Sequence, residues 1–487
     1  MLTFILQTPK VDVLANVRNA LTVKGQSSKI GSISGTAQYY GEPHSYNLTF
    51  DPDGGFVQTF KGPLGETFGF DGKTFWRMDR SKCVTTLDFE DRDRLNAIGL
   101  VLTSSWLNPD VPATISGDGY TINLTLKGSG QKETIKVDPK TWLPNEATFP
   151  ISAGEMKLTL HDWKPVGNRM IPTSFELTEG GLTDKASATE ITTPTGVSTF
   201  APPTWTPDDV TFKAGVPSGI ECKRAISGHI LVKPLINGKD VGWFILDSGA
   251  EVMVIDNKVA DDLKLSKVGK IALTGVGGTI ESSFRQVNEF TLGPATLKGT
   301  FFTQIELGQI GQLLGIKLAG IVGGDLFKRS IVSIDLTKPA VDINPRDNFA
   351  LSKGEWLPMR FSTGNPAVEA NTDGAPRAWY RFDTGADGTL TFHAPFVKRH
   401  KLLDGKKTTD AGSGGVGGVV INKAGQVKWF ELAGHRFESP TVVFATATKG
   451  AFAEPYLAGN IGQEFMKPFR IVLDFSGYRI ALVPLAQ

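Results

Sequence analysis

The strongest constraint on this chain is a repeat. Phe244-Ile245-Leu246-Asp247-Ser248-Gly249-Ala250 returns 136 residues later as Tyr380-Arg381-Phe382-Asp383-Thr384-Gly385-Ala386. Each copy is an apolar strand ending in Asp, then a hydroxyl residue, Gly and Ala, a turn that presents one carboxylate at the end of a buried strand. The flanks repeat in the same order, which takes the match beyond chance. Asn237-Gly238 and Asp373-Gly374 each begin ten residues before their aspartate and read as hairpin turns. Gly275-Val276-Gly277-Gly278 and Gly415-Val416-Gly417-Gly418 follow, and twelve residues past each fourth glycine stand Phe290-Thr291-Leu292 and Phe430-Glu431-Leu432. Ile321-Val322-Gly323 and Asn460-Ile461-Gly462 come next, with Asp335 and Asp474 twelve residues beyond their glycines. The order predicts two lobes of one design, related by a pseudo-twofold axis.

Two carboxylates brought together across such an axis cannot both ionise easily, because like charges about 3 Å apart repel, so they share a proton. The ionised member can take a proton from a bound water while the protonated member donates to a peptide carbonyl. The neighbouring residue types suit that chemistry. Ser248 and Thr384 supply hydroxyls that can bond across to the opposite loop. Gly249 and Gly385 allow a tight turn and let backbone N–H groups approach the carboxylates. Ala250 and Ala386 withhold a side-chain donor that would favour ionisation, which predicts a pH optimum less acidic than with Ser or Thr there.

These loops resemble those of aspartic peptidases, in the Asp-Ser/Thr-Gly-Ala form of the retropepsin-like enzymes, with both halves in one chain as in the pepsin-like enzymes. The likeness covers about residues 220 to 485. It implies a two-lobed, all-β acid-protease fold in which Asp247 and Asp383 are catalytic, with no metal and no cofactor. It also implies a peptide or protein substrate and a monomer, since no second chain is needed to complete the site. Both lobes carry the Gly-Val-Gly-Gly segment, so two flaps are expected, Gly275 to Arg285 and Ala411 to Asn422, whose glycines provide a lid's mobility. Asn460 departs from the family's apolar-apolar-Gly pattern, which Ile321-Val322-Gly323 keeps.

The first two hundred residues offer no catalytic set. Across the chain, 55 glycines and 28 prolines with frequent Thr and Phe favour many short strands, so the expected class is mainly β. A helix is predicted over Asp12 to Leu21 from Val13, Leu14, Val17 and Leu21, and a second over Asp91 to Trp106. Gly35 to Phe70 reads as an antiparallel meander, with further strands at Tyr120 to Lys127, Glu133 to Val137, Lys157 to Leu160 and Phe175 to Glu179. Three phrases, Asp71-Gly72-Lys73-Thr74-Phe75-Trp76, Val137-Asp138-Pro139-Lys140-Thr141-Trp142-Leu143-Pro144 and Val166-Gly167-Asn168-Arg169-Met170-Ile171-Pro172, resemble bacterial lipoprotein-carrier (LolA-like) domains. That resemblance implies a half-open β-barrel-like domain with helices, a lipid or apolar ligand, and periplasmic or secreted residence. Five prolines between Glu190 and Gly219 read as a semi-extended linker. The expected plan is therefore a carrier-like domain at 1–189, a linker at 190–219, and peptidase lobes at 220–350 and 351–487.

Several classes are excluded or set aside. A net charge of +1 gives no global field to attract nucleic acid or an acidic membrane. Cys83 and Cys222 lack metal-site spacing, and idle thiols are favoured over a disulfide. No apolar run reaches the ~18 residues of a membrane helix, and Met1 to Leu6 is too short for a complete signal peptide. Gly412 to Gly417 matches GxGxxG without the strand and helix that dinucleotide binding needs. Asp335 and Asp474 read as structural caps, and His393 and His400 as surface residues. The competing function is a lipid or peptide carrier whose peptidase fold is idle.

Overall fold

The structure is a computed structural model that describes residues 12–27, 30–194, 199–205, 207–347 and 349–485. Strands hold 51% of it and helices 12%, so the class is mainly β, with curled half-barrel sheets. The Met1 to Leu6 stretch lies outside the described residues. The chain divides into two compact units, one of Met1–Phe75, Arg92–Ile151 and Glu155–Pro202, the other of Trp76–Asp91, Ser152–Gly154 and Pro203–Gln487. No helix among the described residues is long and apolar enough to cross a membrane.

In the first unit, neighbouring strands follow one another from Ala113–Asp118 through Thr121–Leu126, Lys132–Val137, Pro144–Ile151, Gly154–Val166, Arg169–Glu179 and Leu182–Thr192. Leu182–Thr192 then pairs with Gly31–Tyr39, which leads through Glu42–Phe50 and Phe56–Lys61 to Glu66–Phe70. Period-two alternation sets which face is inside: in Thr121–Leu126, Ile122, Leu124 and Leu126 are buried and the intervening residues are not. Helix Val13–Leu21 starts where the Asp12 carboxylate accepts the Ala15 N–H at 3.0 Å, and it buries Val13, Val17 and Leu21. The second helix, Phe89–Leu102, begins two residues earlier and ends four earlier than expected, and Ser105–Leu107 follows as a 3-10 turn. Gly99 lets that helix approach the sheet, for a Cβ there would fall 2.3 Å from the Phe56 ring.

The second unit repeats one strand plan twice. Trp243–Leu246 runs antiparallel to Ile230–Val232 and parallel to Leu318–Val322, which sets Leu246 opposite Val322. Ala378–Phe382 runs antiparallel to Asn365–Thr372 and parallel to Gly459–Ile461, which sets Phe382 opposite Ile461. Ile236 pairs with Phe290 as Thr372 pairs with Phe430, and both phenylalanines are fully buried. Each such ring stabilises its lobe by about 1.5–3 kcal/mol. Ile331–Asp335 and Phe469–Asp474 pair antiparallel and join the two halves in a five-stranded sheet. Asp335 accepts the Thr337 and Lys338 N–H groups, and Asp474 accepts the Gly477 N–H and Arg479 Nε, so each carboxylate closes a turn.

Other findings also differ from the sequence reading. The proline-rich stretch packs in its later part: Val210–Phe212 pairs with Ala295–Leu297, and Asp209 accepts Arg329 Nε at 2.9 Å. His393 is fully buried, because it precedes helix Ala394–Arg399 at the end that turns inward with Phe396 and Val397 and lies beside Phe452. Cys83 and Cys222 are both free thiols.

Residues Trp76–Asp91 belong to the second unit, a contribution with no sequence signal. A tight turn between Met78 and Val84 is tied by Asp79, whose carboxylate accepts the Ser81 and Cys83 N–H groups. The helix Gly324–Arg329 meets it: Lys328 Nζ lies 3.0 Å from Asp79 Oδ2, Arg329 Nη2 donates to the Ser81 carbonyl at 2.7 Å, and Arg329 Nη1 lies 3.0 Å from Cys83 Sγ. Burial opposes charge on Asp79, but Lys328, Arg77 and Arg80 outweigh it and hold its carboxyl well below the usual range.

Candidate active site

Each Asp loop hangs from a buried strand. Leu246 and Phe382 are fully buried, and the backbone is fixed where Asp247 N donates to Val322 O at 3.0 Å and Asp383 N donates to Ile461 O at 3.1 Å. The chain then turns so that Gly249 N donates back to Asp247 Oδ1 at 2.7 Å and Gly385 N to Asp383 Oδ1 at 2.9 Å. A backbone donor thus holds one oxygen of each carboxylate.

The loops are locked together by an exchange of hydrogen bonds. Ser248 N donates to Thr384 Oγ1 at 2.9 Å, and Thr384 N donates to Ser248 Oγ at 3.0 Å. The same hydroxyls donate onward, Ser248 Oγ to Phe382 O and Thr384 Oγ1 to Leu246 O, at 2.9 and 3.2 Å. Both side chains are buried, so all four bonds form away from competing water. The glycines set the spacing: a Cβ on Gly249 would lie 2.3 Å from Asp383 Oδ1, and one on Gly385 would lie 2.3 Å from the Asp247 carboxyl carbon. Only a residue without a side chain lets the two carboxylates meet.

Burial and the adjacent Asp383 charge hold the Asp247 carboxyl well above its ordinary range, against the lowering effect of the Gly249 and Gly385 amides. The pair also includes contacts that sequence reasoning missed. Asn460 Nδ2 donates to Asp383 Oδ2 at 3.0 Å, Gln463 Nε2 donates to Thr384 O at 2.7 Å, and His229 Nε2 meets Gly385 O at 2.8 Å. Asn460 was visible only as a break in an apolar pattern. Gln463 and His229 carried no signal, since their relation to the loop exists only after the strands pair.

Ala250 packs against the same apolar cluster, around Ile245, Val254 and Ile321, as do Leu273, Ile280 and Val416. Those last three come from the two glycine hairpins. Lys267–Gly275 pairs with Gly278–Leu292, and Thr409–Gly415 with Gly418–Gln426, leaving Val276-Gly277 and Val416-Gly417 as the tips. The tips touch, with Gly277 N donating to Val416 O at 3.0 Å. A Cβ on Gly277 would lie 2.1 Å from the Gly417 carbonyl carbon, so this approach also needs glycine. Beyond Ala250, Glu251 accepts Arg77 Nη1 at 3.0 Å, while its counterpart Asp387, after Ala386, is exposed.

Residues 232–326 match the model of a family described as aspartyl protease, which supports an aspartyl protease domain over that stretch. No curated protein matches. Among solved structures, a LolA superfamily protein from Nitrosomonas europaea is 13% identical, covers 38% of this chain and 94% of its own, and gives a TM-score of 0.27. An outer membrane lipoprotein-sorting protein domain, so described, from Vibrio parahaemolyticus is 11% identical, covers 39% and 94%, and gives 0.26.

Proposed function

We propose that this protein is an aspartic endopeptidase in which Asp247 and Asp383 are the catalytic pair. The observation that carries the reading is the reciprocal Ser248–Thr384 exchange, which holds two carboxylates in contact with one oxygen of each bound to a loop amide. Such a pair retains one proton at a pH where isolated carboxylates have lost theirs.

The reaction follows from that shared proton. The ionised carboxylate takes a proton from water as the water oxygen forms its bond to the peptide carbonyl carbon, and the protonated carboxyl gives its proton to the carbonyl oxygen. The tetrahedral diol then collapses: the C–N bond breaks, the amine leaves with a proton, and the pair returns to its singly protonated state. Ser248 and Thr384 keep the carboxylates in register, and Gly249 and Gly385 supply amides and clearance. The hairpins ending at Gly275-Val276-Gly277-Gly278 and Gly415-Val416-Gly417-Gly418 act as flaps that close over an extended peptide and keep water from it. Ala250 and Ala386 leave the pair one donor short, which favours an optimum less acidic than a Ser or Thr loop would give.

The wider proposal is a monomer with the plan 1–189, 190–219, 220–350 and 351–487, residing outside the cytoplasm as the N-terminal phrases imply. The test is cleavage of an unstructured protein from pH 3 to 8 by the parent, Asp247→Asn and Asp383→Asn. Activity in the parent that is lost in both variants supports the pair. Activity retained in either variant overturns it, and a folded but inactive parent favours the carrier.

A further inference from the structure

The two aspartates are not equivalent, and the difference sits one strand away. In each lobe the Asp strand runs parallel to the segment that ends at the matched glycine of the repeat, Gly323 or Gly462. Ile245 is set opposite Ile321 in the first lobe, and Arg381 opposite Asn460 in the second. The two positions are counterparts, yet Ile321 has only hydrocarbon to offer and Asn460 has an amide. Asn460 is 5% exposed and its Nδ2 lies 3.0 Å from Asp383 Oδ2, the oxygen that the Gly385 amide does not take. Asp383 therefore has a donor on each oxygen from its own lobe, whereas Asp247 has only the Gly249 amide from its own lobe, on Oδ1, with a buried alkyl group at the matching place; its other donor, the Gly385 amide, belongs to the opposite loop.

From this asymmetry, which rests on the catalytic reading above, we infer that Asn460 is a positioning residue that fixes the shared proton on Asp247 and keeps Asp383 ionised. An ionised carboxylate is an acceptor only, and N–H donors on both of its oxygens favour that state over the protonated one. Asp383 then takes the proton of the attacking water, and Asp247 gives its proton to the carbonyl oxygen. The upward displacement of the Asp247 carboxyl by burial and by the Asp383 charge agrees with this assignment.

Other ionisable groups on the surrounding elements are engaged elsewhere or open to solvent. Glu251 pairs with Arg77, Arg381 lies 3.9 Å from Glu454, and His229 meets Ser227 Oγ and the Gly385 carbonyl. Asp387 is exposed.

The test uses the full chain and three variants. Asn460→Leu keeps the branched shape and removes the donor, Ile321→Asn places a donor in the other lobe, and the double variant moves it across. Turnover of a peptide from pH 3 to 8 reads the acid limb of kcat/KM, which reports the first proton added to the singly ionised pair. Asn460→Leu should raise that limb by about one pH unit, since a hydrogen bond to a charged group is lost. The double variant should return it toward the parent's position, which a purely structural role for Asn460 would not do. An unshifted limb in an active, folded Asn460→Leu overturns the proposal.

A second readout needs no turnover. A small epoxide is opened by the ionised carboxylate, which forms an ester as the ring C–O bond breaks and the alkoxide takes up a proton. Peptide mapping should find the label on Asp383 in the parent and on Asp247 in the double variant. A label on Asp247 in the parent, or one that the exchange does not move, overturns the assignment. Failure of the catalytic reading itself appears separately, as turnover that survives Asp247→Asn or Asp383→Asn.

Discussion

Ser248 and Thr384 each give a backbone N–H to the other's hydroxyl, at 2.9 and 3.0 Å, across the boundary between the lobes. Either substitution to an apolar residue strands a buried N–H in the opposite loop. Thr384→Val should cost about 1–3 kcal/mol of stability and lower kcat/KM well before the protein unfolds. Thr384→Ser should be near parental in both. Urea midpoints and turnover measured on the two variants decide this, and equal losses in both would show that the hydroxyl is not what matters.

Gly249→Ala and Gly385→Ala probe spacing instead of bonding. A methyl group at either position would fall 2.3 Å from the opposing carboxyl group, so the loops must separate. Turnover should drop by about a hundredfold or more, on the scale of a misplacement near 1 Å. Circular dichroism should show the β fold retained. Full activity in either variant would mean the loops tolerate a wider gap than the reading allows.

Much of this was legible because the lobes are a repeat. The register of Ile236 with Phe290 and of Thr372 with Phe430 follows from matched spacings that a single copy could not have supplied. Asp247 and Asp383 stand on strand ends whose apolar runs announce them. What stayed hidden depends on pairings between distant segments. His393 looked like a polar residue beside a short helix, but its burial is decided by Phe452, nearly sixty residues on. Residues 76–91 fell within the expected carrier-like domain at 1–189, and nothing in Asp79, Ser81 or Cys83 foretells Lys328 and Arg329 as their partners.

Arg329 offers a direct measure of that hidden contact. Its side chain is fully buried, with Asp209, the Ser81 carbonyl and Cys83 Sγ around the guanidinium. Arg329→Met keeps the aliphatic stem and removes the charge, leaving Asp209 and the carbonyl without their donor. The expected cost is about 3–5 kcal/mol, the range for breaking one side of a buried pair, read as a lower denaturant midpoint. A change below about 1 kcal/mol would place these contacts with surface pairs of little weight.

The flap tips predict a kinetic separation. Gly277 donates to the Val416 carbonyl, and a side chain at Gly277 would strike Gly417. Gly277→Ala should keep the tips apart and raise KM several-fold, with a smaller effect on kcat, because it disturbs closure over the substrate and not the carboxylates. A fall confined to kcat would contradict the assignment of these hairpins as a lid.

A buried cluster away from the Asp loops sets a pH dependence of stability. Burial raises Glu454 to about 7 despite Arg381 nearby, and burial and then the Glu454 charge raise Glu90 to about 7. Burial, with Arg381, lowers His393 to about 3. Each glutamate binds its proton more tightly folded than unfolded, so its contribution is fully present below about 4.5 and is lost as pH rises toward about 7. His393 acts in the opposite sense, its contribution being lost as pH falls from about 6.5 toward 3. Comparing the parent with Glu454→Gln removes the His393 effect, because both proteins carry it. At pH 4.5 the two should unfold at similar denaturant concentrations. By pH 7.5 the parent should have lost roughly 3 kcal/mol relative to the variant. Curves that stay parallel between those pH values would show that Glu454 is ionised in the folded protein throughout.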